Sequence, residues 1–292
     1  MSSTTGIRVY SSINVHKSLE RRRLCRVYTR NLSFGRQCLE KPWFAPELAI
    51  EKPRDSRTGF TCRNCVPDAE RENCAVRRKK LAVFVSGGGS NFRSIHEASV
   101  GGLVHGDVAV LVTDKPGCGG AEYARANGIP VILFPKTKSS AEGLSSIDLI
   151  TTLRKFKVDF ILLAGYLKLI PAELVQAYPK SILNIHPSLL PAFGGKGFYG
   201  LKVHRAVIAS GARYSGPTVH FVDENFDTGR TLAQRVVPVL ANDTAEELAA
   251  RVLHEEHQVY VEVVSALCED RIVWREDGVP LIRSREDPNV YT

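Results

Sequence analysis

Short apolar runs alternate with stretches of helical spacing from residue 81 onward, and this alternation restricts the fold more than any other feature. The strand-like runs cover residues 81–85, 108–112, 131–134, 160–163 and 182–185. Apolar residues recur at helical spacing between them, at residues 92–98, 121–126, 147–156 and 171–177. Strands that alternate with helices form parallel sheets. The pattern therefore predicts an α/β fold with a mostly parallel, Rossmann-like sheet flanked by helices.

The last third of the chain has a different pattern. A helix is expected at 201–209, and two strands at 218–222 and 232–239 are expected to pair antiparallel at an edge of the sheet. Thr244 and Glu247 are spaced as a capping box before a long closing helix. No linker interrupts the body, so we predict one domain, with the following boundaries: an N-terminal segment 1–78, a domain 79–270 and a tail 271–292.

The formal net charge of +8 would suggest nucleic-acid binding if it were spread over the fold. However, 18 of the 39 Lys and Arg but only 8 of the 31 Asp and Glu lie in residues 1–80, which leaves 21 against 23 in residues 81–292. Residues 1–39 hold six serines and one acid, Glu20, a composition typical of an organelle transit peptide. A disordered basic tail is the alternative. We expect an organelle protein without a nucleic-acid partner and, because no apolar run approaches roughly 18 residues, without a membrane span.

Cysteine and histidine positions do not favour a metal site or a disulfide framework. Five of the seven cysteines precede residue 80, and Cys62 and Cys65 have the spacing of half a zinc knuckle without matching further ligands. His254 and His257 lie three apart on the predicted last helix, but the motif H-E-x-x-H is not present there. We therefore expect no metal and interpret the two histidines as polar lining of a ligand site.

A glycine-rich loop, residues 87–91, joins the first predicted strand to the first predicted helix. Unpaired N–H groups and the helix dipole at such a junction attract anions, including phosphate. The dinucleotide fingerprint fails because Phe92 occupies its last glycine position, and no Gly-Lys-Ser/Thr of a P-loop follows. The loop predicts a phosphate site, and a tight turn without a ligand is the alternative.

The segment 184–191, Asn-Ile-His-Pro-Ser-Leu-Leu-Pro, carries the clearest chemical signal. Asn184 and His186 follow a buried strand and project to the same side, where an amide and an imidazole can stabilise an oxyanion. Asp227 offers a carboxylate that would raise the pKa of the imidazole and favour its cation. The alternatives are a buried core histidine and an aspartate that only shapes the turn before Gly229. The combination predicts acyl transfer.

Together these segments resemble the phosphoribosylglycinamide formyltransferase family, which moves a formyl group from 10-formyltetrahydrofolate to the amine of 5'-phosphoribosylglycinamide in de novo purine (IMP) biosynthesis. The resemblance covers about residues 81–268 and rests on the segments 86–91, 164–170, 184–191 and 216–229. It implies a single formyltransferase-type domain and a folate co-substrate. The glycines and aromatic residues of 193–200 resemble the plant branch, so the plastid stroma is preferred over the mitochondrion.

The resemblance also implies roles for individual residues. Asn184, His186 and Asp227 match the catalytic trio. The remaining implied contacts are Gly89, Ser90 and Asn91 to the substrate phosphate, Glu256 to the ribose and glycinamide, and Leu167, Lys168, Leu169, Ile170, Asp223, Glu224, Asn225 and Phe226 to the folate. The basic residue that reaches the folate tail is left open among Lys136, Lys138 and Lys168. The oligomeric state is left open as well, a homodimer included.

Three other functions share part of this pattern. A formyltetrahydrofolate hydrolase would use the same Asn, His and Asp chemistry but pass the formyl group to water, and would not require the phosphate loop. A methionyl-tRNA formyltransferase would need an added tRNA-binding domain and a basic face, whereas residues 81–292 are slightly acidic. A noncatalytic nucleotide-binding module would use the glycine loop alone, and the intact Asn184, His186 and Asp227 argue against it.

Overall fold

A seven-stranded sheet lies at the centre of the computed structural model, which describes residues 77–136 and 142–292. Its parallel strands are β1 (Lys79–Phe84), β2 (Gly106–Thr113), β3 (Val131–Leu133), β4 (Phe160–Leu163) and β5 (Ile182–His186). After the short β6 (Tyr214–Ser215), the antiparallel strands are β7 (Thr218–Phe221) and β8 (Thr231–Gln234). The order is β3-β2-β1-β4-β5-β7-β8. The predicted mostly parallel sheet with an antiparallel edge is confirmed.

Helices cover both faces of this sheet. They are α1 (Ser90–Val100), α2 (Gly119–Ala126), α3 (Ser146–Lys155), α4 (Ala172–Ala177), α5 (Leu201–Ser210) and α6 (Ala245–Cys268). Side chains of β1 alternate between two apolar clusters, because successive residues of a strand point to opposite faces. Leu81 and Val83 pack with α1, α2 and α6, whereas Ala82 and Phe84 pack with α3 and α4. Both faces of the sheet are therefore buried.

The end of the chain departs from one prediction. Residues 232–239 do not form one strand, because β7 begins opposite Gln234 and offers no partner beyond it. The chain instead continues to β9 (Val237–Pro238), which pairs with β6. The capping box of α6 is present, with the Thr244 hydroxyl accepting from the Glu247 N–H and the Glu247 carboxylate accepting from the Thr244 N–H. A final hairpin, β10 (Ile272–Trp274) and β11 (Pro280–Ile282), packs on the core.

The strand order creates a crevice at the carboxyl edge of the sheet. β1 lies between β2 and β4, so the connections that follow β1 and β4 leave in opposite directions, and such a switch point is where open α/β sheets bind ligands. Gly89 at the start of α1 has a φ of 72° and lies so close to α2 that a Cβ would be 2.8 Å from the Gly120 Cα. Only glycine fits this approach of two main chains.

Several predictions fall outside the described residues. These are the transit peptide within 1–76, Cys62 and Cys65, and Lys138. In the part of the chain that the structure describes, no helix combines the length and apolar character needed to cross a bilayer. The domain boundaries stay predictions.

Candidate active site

A cavity of about 660 Å³ opens at the carboxyl edge of the sheet. Its size lies within the range of roughly 300–1,000 Å³ that is usual for small-molecule sites. Its wall combines the end of β5 with the loops after β4, β5 and β7 and with one side of α6. The predicted site residues on this wall are Asn91, Leu167, Lys168, Leu169, Ile170, Asn184, His186, Asn225, Phe226, Asp227 and Glu256.

The predicted catalytic trio converges in this cavity. His186 Nδ1 lies 3.4 Å from Asp227 Oδ2, and the Asn184 side-chain N–H donates to Asp227 Oδ1 at 3.4 Å. Asn184 and His186 leave β5 on the same side, because they are two residues apart in the strand. His186 is 4% exposed, so its imidazole reaches solvent only through the cavity. The three groups can act on one reacting centre.

The position of Asp227 depends on the tight connection between β7 and β8. Asp227 has a φ of 57°, and a Cβ at Gly229 would collide with the Phe221 carbonyl oxygen. The chain therefore passes directly over the end of β7, and the Asp227 carboxylate turns back toward β5. Asp227 therefore does shape this turn, and its carboxylate also lies beside Asn184 and His186.

Burial controls the charges of the pair. Burial lowers the pKa of His186 below its ordinary value, and the Asp227 carboxylate and the Phe193 carbonyl offset only part of this. Our expectation of a raised pKa is therefore wrong for the substrate-free site, because it counted the carboxylate but not the burial. Burial alone would raise the pKa of Asp227, but the neighbouring imidazoles and the Gly195 N–H together lower it. Asp227 stays ionised beside a neutral imidazole at neutral pH.

Main-chain groups of the loop after β5 hold both members of the pair. His186 Nε2 lies 2.9 Å from the Phe193 carbonyl oxygen, and the Gly195 N–H donates to Asp227 Oδ2 at 2.9 Å. Gly194 packs against the carboxylate, with its hypothetical Cβ 3.3 Å from Asp227 Cβ. No sequence pattern predicts these contacts, because main-chain groups are nearly the same in every residue.

Two further buried histidines, His220 and His204, lie near the trio. His220 lies opposite Asn184 in the pairing of β5 and β7, and its Nε2 is 3.1 Å from the Asn184 side-chain nitrogen. His204 on α5 lines the cavity, and burial, followed by the nearby His186, lowers its pKa. His220 lies in the motif segment 216–229, and the resemblance implies a supporting rather than a reacting role for it.

The end of the cavity near α1 is polar and deeply buried. The Asn91 amide donates to Glu256 Oε2 at 2.7 Å, while Asn91 Oδ1 has no partner. Burial raises the pKa of Glu256, and the bond from Asn91 offsets part of the shift. Gly89 and Ser90 begin α1 next to this pair but do not line the cavity. The exposed start of α1 and the buried Asn91 amide thus lie together at this end of the cavity.

The opposite end is apolar and open. Leu167 and Leu169 are each 48% exposed, and Phe226 is 37% exposed, although all three line the cavity. Lys168 pairs loosely with Asp114 at 3.8 Å. Asp223 and Glu224 do not line the cavity. Asp223 instead accepts from the Thr228 hydroxyl within the turn, and Glu224 accepts from Gln176.

The histidines of α6 do not form the ligand lining that the sequence suggested. His254 Nε2 bonds with the side chain of Gln258, and neither His254 nor His257 lines the cavity. The reason is helical geometry, since Glu256 lies on the cavity side of α6 and its neighbours turn away from it. Within residues 77–136 and 142–292, no group of three or more side chains is arranged to hold a metal ion.

Comparison with known proteins gives consistent results. A family model described as formyl transferase matches residues 79–264. A Vigna unguiculata protein named "Phosphoribosylglycinamide formyltransferase, chloroplastic" is 78% identical over 221 residues, which are 76% of this chain and 71% of the relative. The Arabidopsis thaliana protein of the same name is 71% identical over 74% of each chain. The solved phosphoribosylglycinamide formyltransferase of Anaplasma phagocytophilum is 31% identical, with a TM-score of 0.64, over 72% of this chain and 95% of the other.

Proposed function

The chain belongs to the formyl transferase family, in its plant phosphoribosylglycinamide formyltransferase branch, and we propose that its cavity transfers a formyl group through Asn184, His186 and Asp227. The reaction moves the formyl group of 10-formyltetrahydrofolate to the amine of 5'-phosphoribosylglycinamide, a step of purine biosynthesis. The observation that carries the assignment of residues is that the Asn184 amide and the His186 imidazole each lie 3.4 Å from the Asp227 carboxylate on one cavity wall.

The chemistry follows from the charges of this trio. When the substrate amine attacks the formyl carbon, negative charge develops on the formyl oxygen, and the Asn184 amide stabilises it as a hydrogen-bond donor. His186, neutral beforehand because of its burial, takes the proton that the amine must lose and later returns it to the leaving nitrogen. Asp227, which stays ionised, stabilises the imidazolium in between. The folate supplies an activated formyl group.

The two ends of the cavity suit the two substrates. Glycinamide ribonucleotide is polar and phosphorylated, and the start of α1 with Asn91 and Glu256 provides N–H groups, an amide and a carboxyl group for it. A reduced pterin has apolar ring faces and a polar edge, which suits the apolar side chains and main-chain groups of segment 167–170 and the ring of Phe226. The cavity of about 660 Å³ leaves room for reacting parts of both. Gly89, Ser90, Asp223 and Glu224 would contribute from outside the cavity wall. Of the described candidates for the folate tail, Lys136 and Lys168, Lys168 lines the cavity.

Hydrolysis of the folate is the rival reaction, because the same trio could activate water. We would measure tetrahydrofolate release and formylglycinamide ribonucleotide formation together, with and without the amine substrate, using the full chain. Release that requires the amine and matches product formation supports the transferase. Equal release with and without the amine would assign the trio to hydrolysis.

His186→Ala tests the assignment of residues. The variant lacks the proton carrier, so kcat should fall by roughly 10²- to 10⁴-fold. His254→Ala is the matched control, since His254 is exposed on α6 and lies off the cavity wall. Comparable circular dichroism and melting curves of both variants would show that the fold is kept. Full activity of His186→Ala would refute the proposed role.

The protein is of the chloroplast type, as its plant relatives are named, and we propose that residues 1–78 direct it to the plastid stroma. Residues 1–78 fused to a fluorescent reporter should place the signal in plastids, and a diffuse cytosolic signal would contradict the targeting role. The partners that we propose are the two small-molecule substrates, without a metal or nucleic acid, and a homodimer is tested directly by sedimentation of the full chain.

A further inference from the structure

His220 is almost completely enclosed, at 2% exposure, and lies beside two members of the trio, Asn184 and Asp227. Its Nδ1 lies 2.9 Å from the carbonyl oxygen of the next residue, Phe221. Its Nε2 lies 3.1 Å from the Asn184 side-chain nitrogen and 3.6 Å from Asp227 Oδ1. Each nitrogen of this imidazole therefore has one hydrogen-bond partner.

These partners determine which ring nitrogen carries the proton. A carbonyl oxygen only accepts hydrogen bonds, so His220 Nδ1 must be the donor. The separation of Nε2 from Asp227 exceeds the usual range of hydrogen bonds, up to about 3.2 Å, whereas Asn184 is within it. The arrangement fits an imidazole that donates from Nδ1 to Phe221 and accepts at Nε2 from Asn184.

The same contacts determine the orientation of the Asn184 amide. The amide atom that faces His220 Nε2 also lies 3.4 Å from Asp227 Oδ1, so both of its neighbours are acceptors. If this atom were the amide oxygen, three acceptors would face one another in a buried place, which is unfavourable. The atom is therefore the NH₂ group. One of its protons is held by His220. The other makes only a long, weak bond of 3.4 Å to Asp227, so this is the proton that is available to the oxyanion when the substrates are bound.

We propose that His220 is a positioning residue, which fixes the Asn184 amide so that it presents an N–H and never its carbonyl oxygen to the developing oxyanion. The proposal rests on the proposed formyl transfer, because it assigns Asn184 as the oxyanion donor. A reversed amide would point a lone pair at the negative charge and oppose the reaction. His220 thus determines which end of the Asn184 amide dipole faces the negative charge of the transition state.

The fold protects the acceptor on which this depends. The pairing of β7 with β8 shifts register between Val219 and His220, and a Cβ at Gly229 would collide with the Phe221 carbonyl oxygen. The Phe221 ring packs on Trp274 of the last hairpin, with centroids 4.7 Å apart. The carbonyl that accepts the hydrogen bond from His220 Nδ1 therefore belongs to a residue that is held by side-chain packing and by the main chain at Gly229.

Two substitutions at His220 separate the two hydrogen bonds. In His220→Gln, the side-chain oxygen reaches the place of Nε2 and can still accept from Asn184. In His220→Asn, the shorter amide can still donate to Phe221 but has no atom at the place of Nε2. Removal of one oxyanion donor costs about 10²- to 10³-fold in kcat, so His220→Asn, which only frees the amide, should lose about 10- to 100-fold. His220→Gln should recover most of this loss, and KM should change less than about threefold in both.

A double substitution and a pH profile distinguish positioning from other roles. In an Asn184→Ala background, His220→Asn should have no further effect on kcat, because its loss acts through Asn184. The pH profile of kcat should keep its shape in His220→Asn. Independent losses in the double variant, or loss of one limb of the profile, would overturn the proposal in favour of a structural role or of proton transfer by His220.

The protonation of the ring can be measured without any activity. ¹⁵N chemical shifts of His220 in the full chain should report a protonated Nδ1 and an unprotonated Nε2 at neutral pH. A proton on Nε2 would overturn the proposal whether or not the protein transfers formyl groups. Conversely, absence of formyl transfer by the wild-type chain, with the expected tautomer present, would refute the proposed function alone.

Discussion

Replacement of Asp227 by Asn removes a negative charge beside the catalytic imidazole with little change in shape. His186 Nδ1 lies 3.4 Å from Asp227 Oδ2. Two unit charges at this distance attract by about 5 kcal/mol at an effective dielectric constant of about 20, and this energy is an upper bound for what the carboxylate contributes. Opposite charges at such distances shift a pKa by about 1–3 units, or about 1.4–4 kcal/mol. We therefore expect kcat of Asp227→Asn to fall by about 10- to 1,000-fold.

The assay is the steady-state rate of formyl transfer at saturating concentrations of both substrates, followed by the absorbance of the released folate. Asp107→Asn is the control. Asp107 is a paired carboxylate too, in this case with Arg78 and Lys80, but it lies on β2 at the amino edge of the sheet. Its kcat should stay within about twofold of the wild type. A kcat for Asp227→Asn within about threefold of the wild type would refute the reasoning, since the imidazolium would then not depend on the carboxylate.

Three further predictions concern the charge, the fold and the phosphate end. His186 should titrate by NMR with a midpoint below the ordinary 6.5 in the substrate-free protein, because burial lowers its pKa, and Asp227→Asn should lower the midpoint further; a midpoint above 6.5 would contradict this. Tyr260→Phe should cost about 1–3 kcal/mol in urea unfolding, because two buried carbonyls lose the hydroxyl that donates to them, whereas an unchanged midpoint would mean that neither bond matters. Gly89→Ala should raise KM for the phosphorylated substrate at least about tenfold with little change in KM for the folate. The reason is that a Cβ at residue 89 would press on α2 and distort the start of α1. Equal changes in both KM values would argue against a phosphate site there.

The sequence was sufficient for the parts of the fold that depend on periodicity. The alternation of strands and helices predicts the parallel sheet, and the two-residue spacing of Asn184 and His186 predicts that they share one side of β5. The break of the second edge strand after Gln234 was not predictable, because it depends on where its partner β7 begins. Strand pairing is a property of two segments, and the apolar pattern of one segment does not contain it.

The site was only partly predictable for a related reason. The functional groups of side chains such as Asn184, His186 and Asp227 are known from the residue type, so these candidates can be found in the sequence. The contacts from the Phe193 carbonyl and the Gly195 N–H have no such identity and appear only when the loop is placed. The direction of the His186 pKa was also missed, because desolvation depends on the surroundings that the folded chain builds around the ring.

One short stretch of main chain, from Phe193 to Gly195, contacts His186 at one end and Asp227 at the other. The proton affinities of His186 and Asp227 therefore depend on the conformation of this segment, which contacts them through main-chain atoms. If this segment is redesigned to admit bulkier folate analogues, we expect kcat to change as well as the preference among folates. Variants should be chosen with those two main-chain contacts held fixed.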